Sequence, residues 1–323
     1  MTTLTTHSAP PPARTPSRIH GTGDIVFHAL TVAFASLILV VMAGIFISLI
    51  NGSWLSVAKF KLGFLWGMEW NPVTEQFGAA ATIFGSLVST LIAMVIAVPV
   101  SAAIAGFLVD LAPPRIGKIV GYGIELLAAI PSIIYGMWGL FSFAPFMAAY
   151  VQPALGKTLG FLPLFKGPPI GIGMLSAGII LALMVLPFIS AVMRDVLTMV
   201  PPVVKESAYG MGSTAWEVAR RVSYPYAIEG LVGATFLGLA RAIGETMAVT
   251  FVIGNNHGIS ASLFAASATI PSTLANEFTE ATTPLYLSAL VELGLVLFAI
   301  TFVIQIFAHL WLRRLAKSSG RDR

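Results

Sequence analysis

The chain contains no cysteine, so a disulfide framework, thiolate metal ligation and cysteine redox chemistry are all excluded. Charge is nearly as scarce. Asp, Glu, Lys and Arg supply 10% of the 323 residues, against roughly 25% in an ordinary soluble domain, which is too few to clothe a water-facing surface. Histidine is sparse and scattered: His7 and His20 lie near the N-terminus, His28 and His309 beside apolar runs, and His257 in a connection, with no two at metal-ligand spacing. The sequence has no G-x-x-x-x-G-K-[ST] phosphate loop, so nucleotide hydrolysis by that machinery must come from elsewhere. Neither H-E-x-x-H nor G-x-S-x-G occurs, and Ser176, Ser190 and Ser288 have no mid-membrane histidine to act as a base. These serines are expected to be helix-packing hydroxyls.

What the chain has instead is apolar length, with 57% hydrophobic residues. Six segments exceed the ~20 helical residues that a bilayer requires. They are Ile25–Ile50, Phe77–Val109, Ile119–Phe146, Ile172–Met193, Ile228–Gly254 and Leu285–Leu312. Pro99 and Pro131 are expected to bend the second and third, each by removing a backbone donor; a further split of these two is the alternative. Residues 1–24, rich in Thr, Ser and Pro and without an apolar core, predict a disordered tail rather than a signal peptide. Residues 25–76 then hold the first membrane helix and an external loop, and 77–312 the main transmembrane domain. Residues 313–323 form a basic C-terminus.

Lys and Arg in the connections set the orientation. One side carries thirteen: Arg14, Arg18, Arg115, Lys118, Arg194, Lys205, Arg220, Arg221, Arg313, Arg314, Lys317, Arg321 and Arg323. The other carries four, Lys59, Lys61, Lys157 and Lys166. Both termini are therefore expected in the cytoplasm of a prokaryotic cell, with the chain passing repeatedly through the plasma membrane. The external stretch "WGMEWNP" (Trp66–Pro72) places tryptophans where an interface suits them.

The longest connection on the basic side, Arg194–Pro225, divides into two short helices. Pro201 and Pro202 suit a helix start. A first helix over Val203–Met211 can end at Gly212 in the left-handed conformation. A second opens with Thr214 as N-cap and Glu217 as its reciprocal partner, and Pro225 is expected to separate it from the fifth membrane segment. Local chemistry leaves an interfacial hairpin and a docking knob equally open.

The stretch resembles the signature cytoplasmic loop of ABC importer permeases, E-A-A, three residues, Gly, nine residues, then I-x-L-P. Glu206, Ser207, Ala208, Gly212 and Pro225 stand at its positions, with Ser207, Val222 and Tyr224 departing from the consensus. The resemblance implies a coupling helix seated in a cytoplasmic ATPase.

The fifth segment carries "LARAIGETMAV", with Arg241 and Glu245 inside apolar sequence. At 100° per residue both share a face with Ala234, Gly238 and Ala248, small residues that let helices approach closely. That face should point inward, away from lipid. The pair can partly neutralise itself at this spacing, and Glu125 and Glu292 in neighbouring segments are candidate partners. Two readings remain: a structural ion pair, or an arginine that attracts an anion while Glu245 limits how tightly it is held. Intramembrane charge points to function, and the planar fork of arginine suits tetrahedral oxyanions.

"GLARAIGETMAVTFVIGN" (Gly238–Asn255) resembles one of the two permease subunits of phosphate ABC importers. The sister subunit usually continues "APL" after the shared "ARAxGET" core. "FGSLVSTLIAMVIAVP", "IPSIIYGMWGLF" and "LPFISAVMRDVL" support the resemblance, which spans roughly Phe77 to Leu312. It implies an all-α integral membrane protein of the type I importer permease fold, with Arg241 and Glu245 on the substrate path. The implied partners are a PstA-like permease, a homodimeric cytoplasmic ATPase holding ATP and Mg, an extracytoplasmic phosphate-binding protein and membrane lipid, but no nucleic acid. The chain itself is expected to be no enzyme and to bind no cofactor or metal. A permease for sulfate or phosphonate, and a stand-alone ion-coupled carrier using the Arg/Glu pair as a proton relay, are the rival expectations.

Overall fold

A computed structural model describes residues 22–318. The expected tail therefore lies outside the described residues except for its last positions, Thr22 to Asp24, which are already helical. The last five residues of the basic C-terminus also lie outside them.

The chain divides into two compact units between Ser48 and Leu49. The described part of the first is one uninterrupted helical stretch, the start of α1 (Thr22–Phe60), with Leu37, Ile38, Leu39 and Val40 exposed. A run of bare apolar side chains is at home in hydrocarbon, not water.

The second unit begins within α1 and continues through the single turn α2 (Gly63–Trp66) into a two-stranded antiparallel ribbon, β1 (Trp70–Asn71) and β2 (Gln76–Phe77). Asn71 Oδ1 closes the ribbon turn by accepting from the Val73 and Thr74 amides at 2.9 and 3.3 Å. Then follow α3 (Ala80–Gly106), α4 (Pro114–Ala128), α5 (Ser132–Trp138), the turn α6 (Ala144–Phe146), α7 (Gln152–Leu159) and α8 (Met174–Thr198). The C-terminal third holds α9 (Pro202–Gly210), α10 (Ala215–Val218), α11 (Tyr224–Ile243), α12 (Met247–Ile253), α13 (Ile270–Glu277) and α14 (Pro284–Ser318). Among the described residues, six helical stretches are long and apolar enough to cross a membrane: Gly23–Phe60, Ala80–Leu111, Ser132–Leu159, Met174–Thr198, Ala215–Ile243 and Pro284–Arg314.

The third span corrects the expected Ile119–Phe146. Pro131 breaks the chain instead of bending it: it has no amide to donate and drives Ile130 out of helical geometry. The residues before it form the separate helix α4, and the span starts at Ser132 and extends to Leu159 through two π-helical turns. The fifth span also departs from expectation. It begins at Ala215, so Pro225 lies in the first turn of α11 within a continuous helical run and does not separate it from α10.

The core of the second unit is the packing of α3 on α8, the broadest helix–helix contact. Its middle is built from small side chains. Ala93, Ala97, Ala177 and Ala182 are all buried, and Gly178 lies so close to Ile92 that an added Cβ would collide with it. Lipid tails are as apolar as leucine, so helices in a bilayer associate through close fit, which small residues permit. A second cluster, around Phe64, Phe77, Ile270, Tyr286 and Leu290, fastens the ribbon to α13 and α14.

Candidate functional site

The fifth span is interrupted directly after its arginine. Helix α11 ends at Ile243, residues 244–246 are not helical, and α12 starts at Met247. Arg241 consequently sits in the last turn of α11, the end at which the helix dipole favours a cation. Its guanidinium carbon lies 5.2 Å from the centroid of the Phe188 ring of α8, a cation–π contact. No carboxylate approaches Arg241 within 4.0 Å among the described residues, and its side chain is exposed on the single chain.

Glu245 is committed elsewhere. Its Oε1 accepts from the Ala248 amide at 3.1 Å, capping the first turn of α12. The mutual neutralisation expected from the i, i+4 spacing is therefore absent, because the break between the two residues ends the helical register that would have joined them. The small-residue face is where the sequence placed it. Ala234, Gly238 and Ala248 are buried, and Gly238 packs against Ile189 of α8 with no room for a Cβ. Arg241 emerges from the edge of that face.

Neither candidate charge partner meets Arg241. Glu125 of α4 pairs with Arg194 of α8 at 2.5 Å, and the Arg194 guanidinium passes over Gly121, where a side chain would push it aside. Glu292 of α14 is 6% exposed, its Oε2 has no hydrogen-bond partner, and Ser56 is its polar neighbour. The hydroxyls behave as the sequence suggested: Ser190 Oγ donates to the Pro187 carbonyl at 3.0 Å, and Ser288 Oγ accepts from the Ser56 amide at 3.1 Å.

The connection after α8 folds into the expected hairpin. Gly212 has φ +87°, and the Gly212 and Ser213 amides donate to the Tyr209 and Ala208 carbonyls at 2.9 and 3.1 Å, the paired closure of a Schellman turn. Thr214 and Glu217 form the reciprocal capping box, with the Glu217 amide donating to Thr214 Oγ1 and the Thr214 amide to Glu217 Oε2. Glu206 is exposed, Ser207 Oγ donates to the Val203 carbonyl at 2.7 Å, and Ala208 is buried. Val203, Tyr209, Met211 and Trp216 stand exposed on this hairpin.

Two groups escaped the sequence reading. Phe188 lies in a stretch singled out for resemblance, but only packing places its ring beneath the arginine. His257 stacks on Trp70 with centroids 5.6 Å apart and lies 3.4 Å from Glu277 Oε1. Glu277 Oε2 also accepts from Trp70 Nε1 and the Tyr286 hydroxyl, each at 2.6 Å. Nothing local in the sequence links residues so far apart.

Residues 102–317 match the family described as the binding-protein-dependent transport system inner membrane component. The chain is 52% identical over 301 residues to the phosphate transport system permease protein PstC of Mesorhizobium japonicum, covering 92% of each chain. It is 51% identical over 302 residues to the protein of the same name from Pasteurella multocida, covering 92% of this chain and 94% of that one. Among solved structures, a bacterial alginate ABC transporter in complex with its alginate-bound periplasmic protein aligns with a TM-score of 0.61 at 14% identity, covering 92% of this chain and 99% of that chain. At that identity the likeness is one of fold. The chain belongs to the family of binding-protein-dependent transport system inner membrane components, among the relatives called PstC.

Proposed function

We propose that this chain is a permease subunit of an ATP-driven importer that carries inorganic phosphate across the cytoplasmic membrane, with both termini in the cytoplasm. The observation that carries the proposal is Arg241: a guanidinium within a membrane span, engaged by an aromatic face and by no carboxylate among the described residues. A buried or membrane-level charge persists where it serves a path for its counter-ion. Arginine offers phosphate two parallel donors and keeps its charge at any working pH. Glu245, by occupying the amide end of α12, places negative charge one turn beyond Arg241 and keeps the anion from settling.

The α9–α10 hairpin is the ATPase dock, with Glu206, Ser207, Ala208 and Gly212 shaping it and Pro225 in the helix that returns from it. Exposed Val203, Met211 and Trp216 support this assignment, since they are apolar groups with no internal partner to cover them. ATP and Mg belong to a homodimeric ATPase, a PstA-like subunit completes the membrane domain, and an extracytoplasmic phosphate-binding protein delivers substrate. The test is uptake in cells that depend on this chain, with labelled phosphate and unlabelled competitors. Phosphate should compete and sulfate should not; sulfate competing better than phosphate would overturn the assignment of substrate.

A further inference from the structure

A buried ion pair ties the hairpin to the bundle, and the substrate path makes no use of it. Lys205 of α9 donates from Nζ to Asp110 Oδ1 at 2.6 Å. The Asp110 side chain is 2% exposed and that of Lys205 18%, and Asp110 Oδ2 has no hydrogen-bond partner. Asp110 lies in the π-helical turn Phe107–Leu111 that ends the second span beyond α3. A buried carboxylate held through one oxygen depends on its cation, because removing one partner of a buried pair leaves an uncompensated charge.

The return limb of the hairpin grips the same helix. Tyr224, the first residue of α11, donates from its hydroxyl to the Ala102 carbonyl at 2.7 Å. Its ring covers Gly106, where a Cβ would collide with it. The cytoplasmic end of the second span is thus held from α9 on one side and α11 on the other.

From there contacts continue to the arginine. Ser101 Oγ of α3 donates to the Leu186 carbonyl of α8 at 3.0 Å, two residues before Phe188, whose ring lies under Arg241. Ser101 and Asp110 lie on one continuous helical stretch, α-helical to Gly106 and π-helical from Phe107 to Leu111. A short, directional ion pair allows less sliding than an apolar contact, so displacement of α9 is passed on rather than absorbed.

We infer that the Lys205–Asp110 pair is the strut that transmits motion of the ATPase dock through α3 to Phe188 of α8 and the Arg241 end of α11. The two are positioning residues and touch no substrate. This inference rests on the reading of the hairpin as the dock, and the two are tested separately. The complete complex with its ATPase, partner permease and binding protein is reconstituted in proteoliposomes, and phosphate imported per ATP hydrolysed is measured for Lys205→Met, Asp110→Asn and the reversed pair Lys205→Asp with Asp110→Lys. Each single variant should retain the ATPase and hydrolyse ATP, while phosphate per ATP falls at least about tenfold; the reversed pair should regain a substantial share, as expected of coupled sites. An unchanged ratio in both single variants overturns the strut. So does loss of the ATPase from Lys205→Met, or a reversed pair that assembles yet transports no better than the single variants. The dock is tested alone by cross-linking from Met211→Cys, a clean probe in a chain without cysteine. A cross-link to the ATPase with an unchanged ratio rejects the strut only; absence of any cross-link in the intact complex rejects the dock.

Discussion

At the scale of single residues, the proposed function rests most heavily on Arg241. Replacing it with alanine removes both the charge and the fork, and uptake should fall at least about a hundredfold while the complex still assembles. Lysine keeps the charge as a point and should give an intermediate rate. Normal uptake by Arg241→Ala, read with labelled phosphate, would reduce the residue to a packing role. Glu245 has a separable structural task. Glu245→Ala should lower stability by about 1 kcal/mol through loss of the cap on α12, whereas Glu245→Gln, whose amide oxygen still accepts, should not; denaturant unfolding distinguishes the two. The charged residues themselves were legible from the sequence because charge in an apolar run is conspicuous. Their partners were not. Arg241 meets Phe188, Glu125 meets Arg194, and Glu245 meets a backbone amide, each outcome set by where the chain breaks or by a helix distant in sequence.

At the scale of elements, the proposed dock turns on Gly212, a left-handed residue with φ +87°. Space around Gly212 is open, so a side chain there would meet no neighbour and the obstacle is backbone conformation alone. Gly212→Val should therefore abolish ATPase co-purification and uptake, while Gly212→Asn, which tolerates that conformation, should retain much of both. Equal defects in the two would show that the turn geometry is not what matters. In the connection between α12 and α13, burial holds the His257 pKa below its ordinary value of about 6.5, with the Glu277 carboxylate pulling the other way. The unfolded chain then binds the proton more readily than the folded one. The stabilisation from the neutral ring is complete above the unfolded value of about pH 6.5 and is lost as pH falls from there through the lower value of the folded chain. The thermal midpoint should drop between about pH 7 and pH 5 more steeply in the parent chain than in His257→Gln, and parallel profiles would exclude this contribution. Turns and caps were readable because they are closed by residues adjacent in sequence, as at Thr214 and Glu217. The break after Ala128 was half legible, since Pro131 announced a bend or a split without deciding between them; the break after Ile243 was not, since no proline stands there and hydropathy does not register a lost hydrogen bond.

At the scale of the whole molecule, the chain has a bundle of membrane spans, a short hairpin between the fourth and fifth of them, and no G-x-x-x-x-G-K-[ST] phosphate loop for nucleotide. Reconstituted alone in proteoliposomes it should move no phosphate under either a proton gradient or ATP, and transport should appear only with the ATPase and partner permease present. Gradient-driven uptake by the isolated chain would instead restore the ion-coupled carrier. The seam between α3 and α8 has its own consequence for handling the protein. Alanine and glycine meeting across it gain nothing over the hydrocarbon they displace. Solvent therefore does not press these helices together; shape does. A short-chained detergent able to slip between them would compete on equal terms with the native neighbour, so loosening during extraction should begin at this seam while every helix is still wound.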